Sequence, residues 1–206
     1  ILQTRLGIHL KHIPWKSLPT FKSMSVTDEL RQAFPTGRSS QLEATSKVYT
    51  LLKNCIHDEK LAAITVECFS LVREHRVTAC LPLAKFNADG IPAGCEGDLV
   101  SIVGMMFAKE VIGIIPWIAN TVKVTEDQVL FAHCTIASNL VTNPVIKTHF
   151  ETDTGTAIQG DFIADEITLF RFDNTLSKAF VASGRVINRP KYNTACRTQI
   201  EVTLPS

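Results

Sequence analysis

The chain has 206 residues, enough for one large domain or two small ones, and folding at this size buries roughly 70% of the unfolded chain's surface. Hydrophobic residues make up 45% and charged residues 20%, which is ordinary for a globular protein and excludes a disordered or fibrous chain. Lysine plus arginine number 21 against 20 for aspartate plus glutamate, so the net charge is +1. This balance disfavours nucleic acid and anionic membranes as partners.

The two longest apolar stretches, Leu99–Ala108 and Val111–Ile118, are separated by two charged residues. Each is shorter than the roughly 18 residues that a membrane span needs, so we predict no membrane partner. The chain begins at Ile1 without a methionine, and its first residues lack the pattern of a signal peptide. We therefore expect this sequence to be a piece of a longer chain or a processed product, and we favour the piece.

The cysteines indicate the redox environment that we expect for the protein. A secreted disulfide scaffold is shorter and richer in cysteine, and the Cys and His residues here lack zinc-finger or zinc-ribbon spacing. Reduced, buried thiols in a cytoplasmic protein are the favoured interpretation. The six cysteines are Cys55, Cys68, Cys80, Cys95, Cys134 and Cys196.

Helical signals dominate the first half of the chain. Apolar residues at helical spacing, capping residues and proline or glycine stops predict helices, and a short run ending in β-branched residues predicts a buried strand. The predicted elements are a helix over Ser25–Phe34 capped by Ser25 or Thr27, an amphipathic helix over Ser40–Ile56, a strand over Leu61–Val66, a helix over Thr78–Phe86 and an apolar helix from Asp98 to about Phe107. This order is typical of an α/β portion, which we place at residues 1–112.

After Gly113 the pattern changes to short segments rich in Val, Ile, Thr and Phe, separated by Asn, Asp, Gly and Pro. Such segments at even intervals predict an antiparallel barrel or sandwich. The predicted strands are Val129–Ile136, Val145–Phe150, Thr156–Phe162, Glu166–Phe172, Ala179–Ile187 and Thr198–Leu204. The predicted fold class is therefore α+β, with an α/β portion followed by an antiparallel β domain at residues 113–206.

The segment Gly90–Asp98 (GIPAGCEGD) holds three glycines and a proline, and two carboxylates close it just before a predicted helix. Asp98 is suited to cap that helix, because carboxylates are favoured at helix N-termini. Glu96 lies between Cys95 and Gly97, in a loop whose glycines indicate a specified backbone path. Hard cations such as Mn²⁺ or Mg²⁺ prefer carboxylate ligands, so Glu96 is a candidate metal ligand.

Glu67 directly follows the predicted strand Leu61–Val66. Open α/β sheets commonly bind ligands at the carboxyl ends of their strands. A surface carboxylate where a strand meets solvent is the alternative interpretation. Because Cys68 and Phe69 continue the apolar run, we expect Glu67 to be partly shielded and to need a partner, for which a metal is one candidate.

Two histidines lie in or beside predicted strands. His133 is surrounded by apolar residues, and His149 is followed two residues later by Glu151. Each is either a hydrogen-bonded core residue or a metal ligand, and the spacing leaves both interpretations open. Glu74 and His75 lie in a charged stretch that we predict to be a solvated surface.

Four runs of residues carry a family resemblance. They are Ile64–Ser70 (ITVECFS), Gly90–Asp98, Phe131–Thr135 (FAHCT) and Thr148–Glu151 (THFE). Together they resemble the L-fucose/L-arabinose isomerase superfamily, and the fucose isomerase-related proteins within it most closely, over roughly residues 40–204. Such proteins have α/β domains followed by a C-terminal domain built around a β-barrel. The resemblance therefore implies the end of an α/β domain plus that barrel.

The resemblance implies an aldose–ketose isomerase that uses a divalent metal, typically Mn²⁺. Its two carboxylates, which are metal ligands and candidates for proton transfer, fall on Glu67 and Glu96, and a histidine ligand falls on His133. The metal would chelate the carbonyl and adjacent hydroxyl of the sugar and stabilise an ene-diolate, while a carboxylate moves the proton between C1 and C2. The implied partners are a small sugar substrate and further copies of the chain in a homo-oligomer.

The chain departs from the family pattern at two positions. The arabinose branch uses a further histidine late in the chain, whereas no histidine follows His149 here. In the fucose branch the second carboxylate is an aspartate, which makes Asp98 a weaker alternative to Glu96. The alternative to an isomerase is a non-catalytic member of the same fold that binds a sugar or serves in assembly.

Overall fold

The computed structural model describes residues 1–37 and 39–204, so Arg38, Pro205 and Ser206 of the two predicted domains lie outside the described residues. The helices are α1 (Leu2–Leu6), α2 (Glu29–Ala33), α3 (Ser39–Asp58), α4 (Phe69–His75), α5 (Cys80–Ala88) and α6 (Leu99–Ile112). The strands are β1 (Ile64–Val66), β2 (Ala93–Cys95), β3 (Asn120–Val124), β4 (Gln128–His133), β5 (Val141–Lys147), β6 (Ala157–Phe162), β7 (Glu166–Phe172), β8 (Ala179–Asn188) and β9 (Thr198–Thr203).

The long helix α3 confirms the amphipathic pattern predicted over Ser40–Ile56. Leu42 and Leu52 are buried, and Tyr49 stacks on Phe86 of α5 with ring centroids 5.0 Å apart. Burial of this apolar face stabilises α3 more than helix propensity does. The helix is thereby packed against α5, which in turn contacts β2.

The helix predicted over Ser25–Phe34 is shorter than expected. It begins only at Glu29, so the prediction that Ser25 or Thr27 caps it is wrong. The backbone N–H of Thr27 instead donates to the hydroxyl of Ser46 on α3, at 3.0 Å. The backbone of Thr27 is thus bonded to a distant helix, while its side-chain oxygen, the atom that would accept a capping bond, has no hydrogen-bond partner within the described residues.

The strands β1 and β2 form a two-stranded parallel sheet, with α4 and α5 in the crossover between them. Val66 pairs with Cys95, so the two strands end side by side. Glu67 and Glu96, which follow these strands, consequently lie at the same edge of the sheet. The strand predicted over Leu61–Val66 is shortened at its start, and β2 and α4 were not predicted.

The remaining strands confirm the change of pattern after Gly113. Five of them, in the order β3-β4-β9-β8-β7, form an antiparallel sheet that curls into a half-barrel, and β5 pairs with β6. The strand predicted over Glu166–Phe172 has those bounds in β7, whereas β3 was not predicted. The chain is thus mixed α and β, as expected.

One hydrophobic core draws on both halves of the chain. Leu81 and Phe86 of α5 belong to the same buried cluster as Ile136, Val141 and Ile158 from the second half. The division at 112–113 into two domains stays a prediction. Within the described residues, no helix combines the length and the apolar composition needed to cross a membrane.

Candidate active site

The loop after β2 holds two consecutive residues in the left-handed conformation. Glu96 has φ +63° and Gly97 has φ +67°. Glycine adopts this conformation freely, whereas a residue with a Cβ is strained there by roughly 1–2 kcal/mol. Strain of this kind persists only where surrounding structure holds it, and it concentrates at functional sites. The backbone of Glu96 is therefore set by its contacts rather than by its own preference.

The carboxylate of Glu96 contacts two residues of the C-terminal sheet. Its Oε1 accepts a hydrogen bond from Asn120 Nδ2 at 3.1 Å and lies 3.5 Å from Nε2 of His133. The imidazole of His133 holds the pKa of the Glu96 carboxyl below its usual value, although partial burial acts in the opposite direction. The carboxylate is therefore ionised at neutral pH, and its Oε1 atom is fixed by β3 and β4.

His133 lies at the end of β4 with its side chain only 3% exposed. Its Nδ1 shares a hydrogen bond of 2.8 Å with the hydroxyl of Thr135, so Nε2 is the nitrogen that faces Glu96. This agrees with a hydrogen-bonded core histidine and equally with a metal ligand, since metal-binding histidines are usually oriented through their other ring nitrogen. The ring is held in one orientation toward the carboxylate.

Glu67 lies on the neighbouring strand end, but its carboxylate points elsewhere. The side chain accepts hydrogen bonds from the Ser70 hydroxyl at 2.5 Å and from the Ser70 backbone N–H at 3.3 Å. The residue is exposed because β1 ends before it, so the interpretation of Glu67 as a surface carboxylate where a strand meets solvent is confirmed and the expected partial shielding is wrong. Cys68, the N-cap of α4, is buried and Phe69 is half-buried, but this shielding does not extend to Glu67.

The backbones of the two loops nevertheless touch. The N–H of Gly97 donates to the carbonyl of Val66 at 3.3 Å, and a Cβ placed on Gly97 would lie 3.9 Å from the Cβ of Glu67. Glu67 and Gly97 also line a cavity of about 980 Å³ between the N-terminal segment, β1 and α6. Most of the other lining side chains are apolar, and Glu96 and His133 are not among them.

The donors present fit a divalent cation in part. Glu96 and His133 place a carboxylate oxygen and an imidazole nitrogen side by side, and both donor types suit Mn²⁺. Glu67 becomes a third donor only when its carboxylate leaves Ser70. Across residues 1–37 and 39–204, no three His, Cys, Asp or Glu side chains converge closely enough to hold a metal ion.

Asp98 has the capping role that its position suggested. Its carboxylate accepts from the Ser101 backbone N–H at 2.9 Å and from the Ser101 hydroxyl at 2.7 Å, and it pairs with Arg171 of β7 at 3.4 Å. Burial opposes ionisation, but the bonds from Ser101 and Arg171 hold the pKa of Asp98 below its usual value. Because of these contacts, the carboxylate of Asp98, which was the alternative to Glu96 as a metal ligand, is already bonded within the protein.

His149 is buried beside Glu151, with Nε2 3.9 Å from the carboxylate, and its Nδ1 shares a hydrogen bond with Thr152. Burial lowers the pKa of its imidazole. The structure therefore agrees with the interpretation of His149 as a hydrogen-bonded core residue. The prediction that Glu74 and His75 lie on a solvated surface is confirmed. The side chain of Glu74, at the end of α4, is 71% exposed and lies 3.9 Å from His75.

Two residues of the site were not predicted. Thr135 lies two positions after His133, and the alternation of a strand offered a signal that both side chains share a face. Asn120 lies 24 residues from Glu96 on a strand that was not predicted, so the sequence held no comparable signal.

Comparisons with known proteins leave the site to be interpreted from its geometry. A scan against protein-family models finds no match, and a search among curated proteins finds no significant relative. The functional interpretation therefore depends on the arrangement of Glu96, His133, Asn120 and Thr135.

Proposed function

We propose that the chain is a metal-dependent aldose–ketose isomerase, or the C-terminal portion of one, with its site at Glu96 and His133. The observation that carries this proposal is a strained, left-handed Glu96 whose carboxylate lies 3.5 Å from an oriented, buried imidazole. A carboxylate and a neutral imidazole are the donors that a Mn²⁺ site uses. The resemblance to the superfamily implies the second carboxylate and a histidine ligand at these same two residues.

Both glutamates would contribute to the binding of a cation, and Glu67 would also transfer a proton. Asn120 and His133 both contact the Oε1 atom of Glu96. The Oε2 atom would therefore bind the cation. Because its pKa is lowered, Glu96 is ionised at neutral pH and suited to bind a cation. Glu67, exposed at the same sheet edge, is the carboxylate that we assign to moving the proton between C1 and C2 of the sugar.

A bound divalent cation, Mn²⁺ in this proposal, supplies a Lewis acid for the carbonyl and adjacent hydroxyl of the sugar. The half-barrel sheet would belong to the C-terminal barrel domain of the superfamily. It supplies Asn120 from β3 and His133 from β4, so the site would lie between this sheet and the α/β portion. Assembly into a homo-oligomer belongs to the same proposal.

A non-catalytic member of the same fold, which binds a sugar or serves in assembly, is the second candidate. The hydrogen bonds from Ser70 to the carboxylate of Glu67 favour it, because they give that carboxylate a structural role at the start of α4. In such a protein Glu96 and His133 would join the two parts of the molecule. Neither substitution at Glu67 nor added metal would then alter its properties beyond stability.

Calorimetric titration of the full chain with Mn²⁺ tests the proposal, beside Glu96→Gln, His133→Ala and the control Glu74→Gln. Glu74 is the matched control because it also lies beside a histidine, yet on the exposed end of α4. We expect one stoichiometric site whose affinity falls by more than about 100-fold in the first two variants and is unchanged in the third.

Exchange of the C2 proton of aldoses in deuterated water, followed by NMR, then tests turnover with Mn²⁺ present. We expect exchange that Glu67→Gln abolishes without loss of Mn²⁺ binding larger than about tenfold. A folded chain that binds no Mn²⁺ contradicts the isomerase proposal and favours the non-catalytic candidate.

A further inference from the structure

Two buried thiols are neighbours in the chain of the two candidate carboxylates. The Sγ atoms of Cys68 and Cys95 are 3.4 Å apart, and the two residues are 2% and 3% exposed. Cys68 follows Glu67, and Cys95 precedes Glu96. The thiol pair therefore connects the two chain segments that carry the candidate carboxylates.

The parallel sheet explains why these sulfurs meet. Cys95 is the last residue of β2 and pairs with Val66, the last residue of β1, while Cys68 lies just beyond it. A disulfide requires side chains that point toward each other, and sulfurs in contact meet that condition. Forming the bond shortens the sulfur–sulfur distance to roughly 2.05 Å, a movement that the turns at Glu67 and Glu96 must accommodate.

We propose that Cys68 and Cys95 form a reversible oxidation site, at which a peroxide converts the two thiols into a disulfide. One sulfur, on losing its proton, attacks a peroxide oxygen; the O–O bond breaks and a sulfenic acid and water form. The second sulfur attacks the first, the S–O bond breaks, and the departing hydroxide takes the proton of the second thiol. Two thiols and one hydrogen peroxide thus give one disulfide and two waters.

Burial determines how the oxidant reaches the pair. Both sulfurs are covered, but the flanking Glu67 and Glu96 are exposed, so local opening of these two turns admits a molecule as small as hydrogen peroxide. Oxidation should therefore be slower than that of an exposed thiol and should need no global unfolding. A small dithiol reverses it by exchange through the same opening.

The disulfide would also act on the candidate site, and this part rests on the proposed function. Drawing Cys95 toward Cys68 pulls on Glu96, whose carboxylate must stay beside His133 to bind a cation. We expect the oxidised chain to bind Mn²⁺ about tenfold more weakly, because displaced supporting contacts typically cost 10- to 100-fold in metal affinity.

Peptide mapping of the full chain after treatment with hydrogen peroxide tests the proposal. We expect a cross-linked pair of peptides containing Cys68 and Cys95, lighter by two hydrogen atoms than the separate peptides and split again by dithiothreitol. The cross-link should be absent in Cys68→Ala and Cys95→Ala and present in Cys55→Ala, whose buried thiol lies on α3. The oxidised parent should unfold at a midpoint raised by roughly 10 °C.

Other results overturn the proposal. Cys134 and Cys196 also pack together. A disulfide between them in place of the assigned one, or only sulfinic and sulfonic acids at Cys68 and Cys95, excludes the assigned pair. Circular dichroism checks that each variant folds, and Cys68→Ser provides a second substitution at the same position.

The mapping needs no metal, so a cross-link in a chain that binds no Mn²⁺ would contradict the proposed function and leave the oxidation site standing. Unchanged Mn²⁺ affinity after cross-linking contradicts the coupling.

Discussion

Glu67 and Glu96 follow the two strands of one parallel sheet, yet their surroundings differ. The carboxylate of Glu67 bonds to Ser70, three residues away, and remains exposed. The carboxylate of Glu96 contacts Asn120 and His133, which are 24 and 37 residues away and belong to the curled sheet. Two residues that look alike in the sequence thus have a local role in one case and a long-range role in the other.

This difference between the two loops shows which of them contributes a carboxylate to the candidate site through long-range contacts. A parallel sheet brings both carboxylates to the same edge, but only the loop after β2 is held in a strained backbone conformation by a second layer of structure. The loop after β1 continues into α4 and satisfies its carboxylate there. The geometry of the candidate site therefore depends on which loop the curled sheet contacts, and four substitutions test this comparison.

Thr135→Val should have the largest effect, because it removes the partner of Nδ1 and frees the His133 ring to turn away from Glu96. We expect Mn²⁺ affinity to fall by about 10- to 100-fold, and the free energy of unfolding by about 1–3 kcal/mol. Titration calorimetry and thermal unfolding measure the two changes. Thr168→Val, on the exposed part of β7, is the matched control, and equal Mn²⁺ affinity in both variants would contradict the role of Thr135.

Asp98→Ala should lower stability without changing metal affinity. Asp98 caps α6 through Ser101, and the loss of such a cap costs about 1 kcal/mol. Urea unfolding measures the loss, which Asp98→Asn should largely restore because asparagine also caps helices. A loss of Mn²⁺ binding in Asp98→Asn would instead identify Asp98 as the second carboxylate of the site.

Ser70→Ala should strengthen Mn²⁺ binding, because it removes the hydroxyl that holds Glu67 away from Glu96. A hydrogen bond worth about 1 kcal/mol corresponds to about a fivefold gain in affinity. Calorimetry on this variant, with and without Glu67→Gln, isolates the effect. No gain would show that Glu67 is not a ligand and that its carboxylate serves the start of α4.

Glu29 provides the smallest test, at a carboxylate outside the site that is also held by residues distant in sequence. Hydrogen bonds from Lys53 and Tyr49 lower the pKa of Glu29 from its usual 4.5. The stabilisation is therefore complete above about pH 4.5 and is lost as the pH falls through the lower folded pKa. Glu29→Gln should lower stability by roughly 0.2–1 kcal/mol at neutral pH.

Thermal unfolding from pH 6 down to about pH 3 follows this difference. The parent and Glu29→Gln should converge as the pH falls, whereas Glu43→Gln, an exposed change on α3, should follow the parent throughout. A difference between parent and Glu29→Gln that grows at low pH would contradict the assigned sign.

Much of the secondary structure could be predicted, because its signals are local. The apolar spacing of α3 and the alternating residues of β7 persist over enough residues to be read without the fold. The strand β2 has only three residues inside a glycine-rich segment, and β3 is an edge strand with all five residues exposed. Neither strand has a periodic pattern, since pairing with neighbours rather than burial of one face defines them.

The sequence by itself determined which residue types follow each strand, where α6 is capped, and that carboxylates and a histidine were available for a site. Only the tertiary structure decided that Glu96 reaches His133 while Glu67 turns to Ser70. The physical reason is that hydrogen bonds between residues near in sequence follow from local geometry, whereas the partner of a left-handed loop residue depends on how a distant sheet curls over it. The register and curvature of that sheet brought Asn120 and His133 to the Glu96 carboxylate.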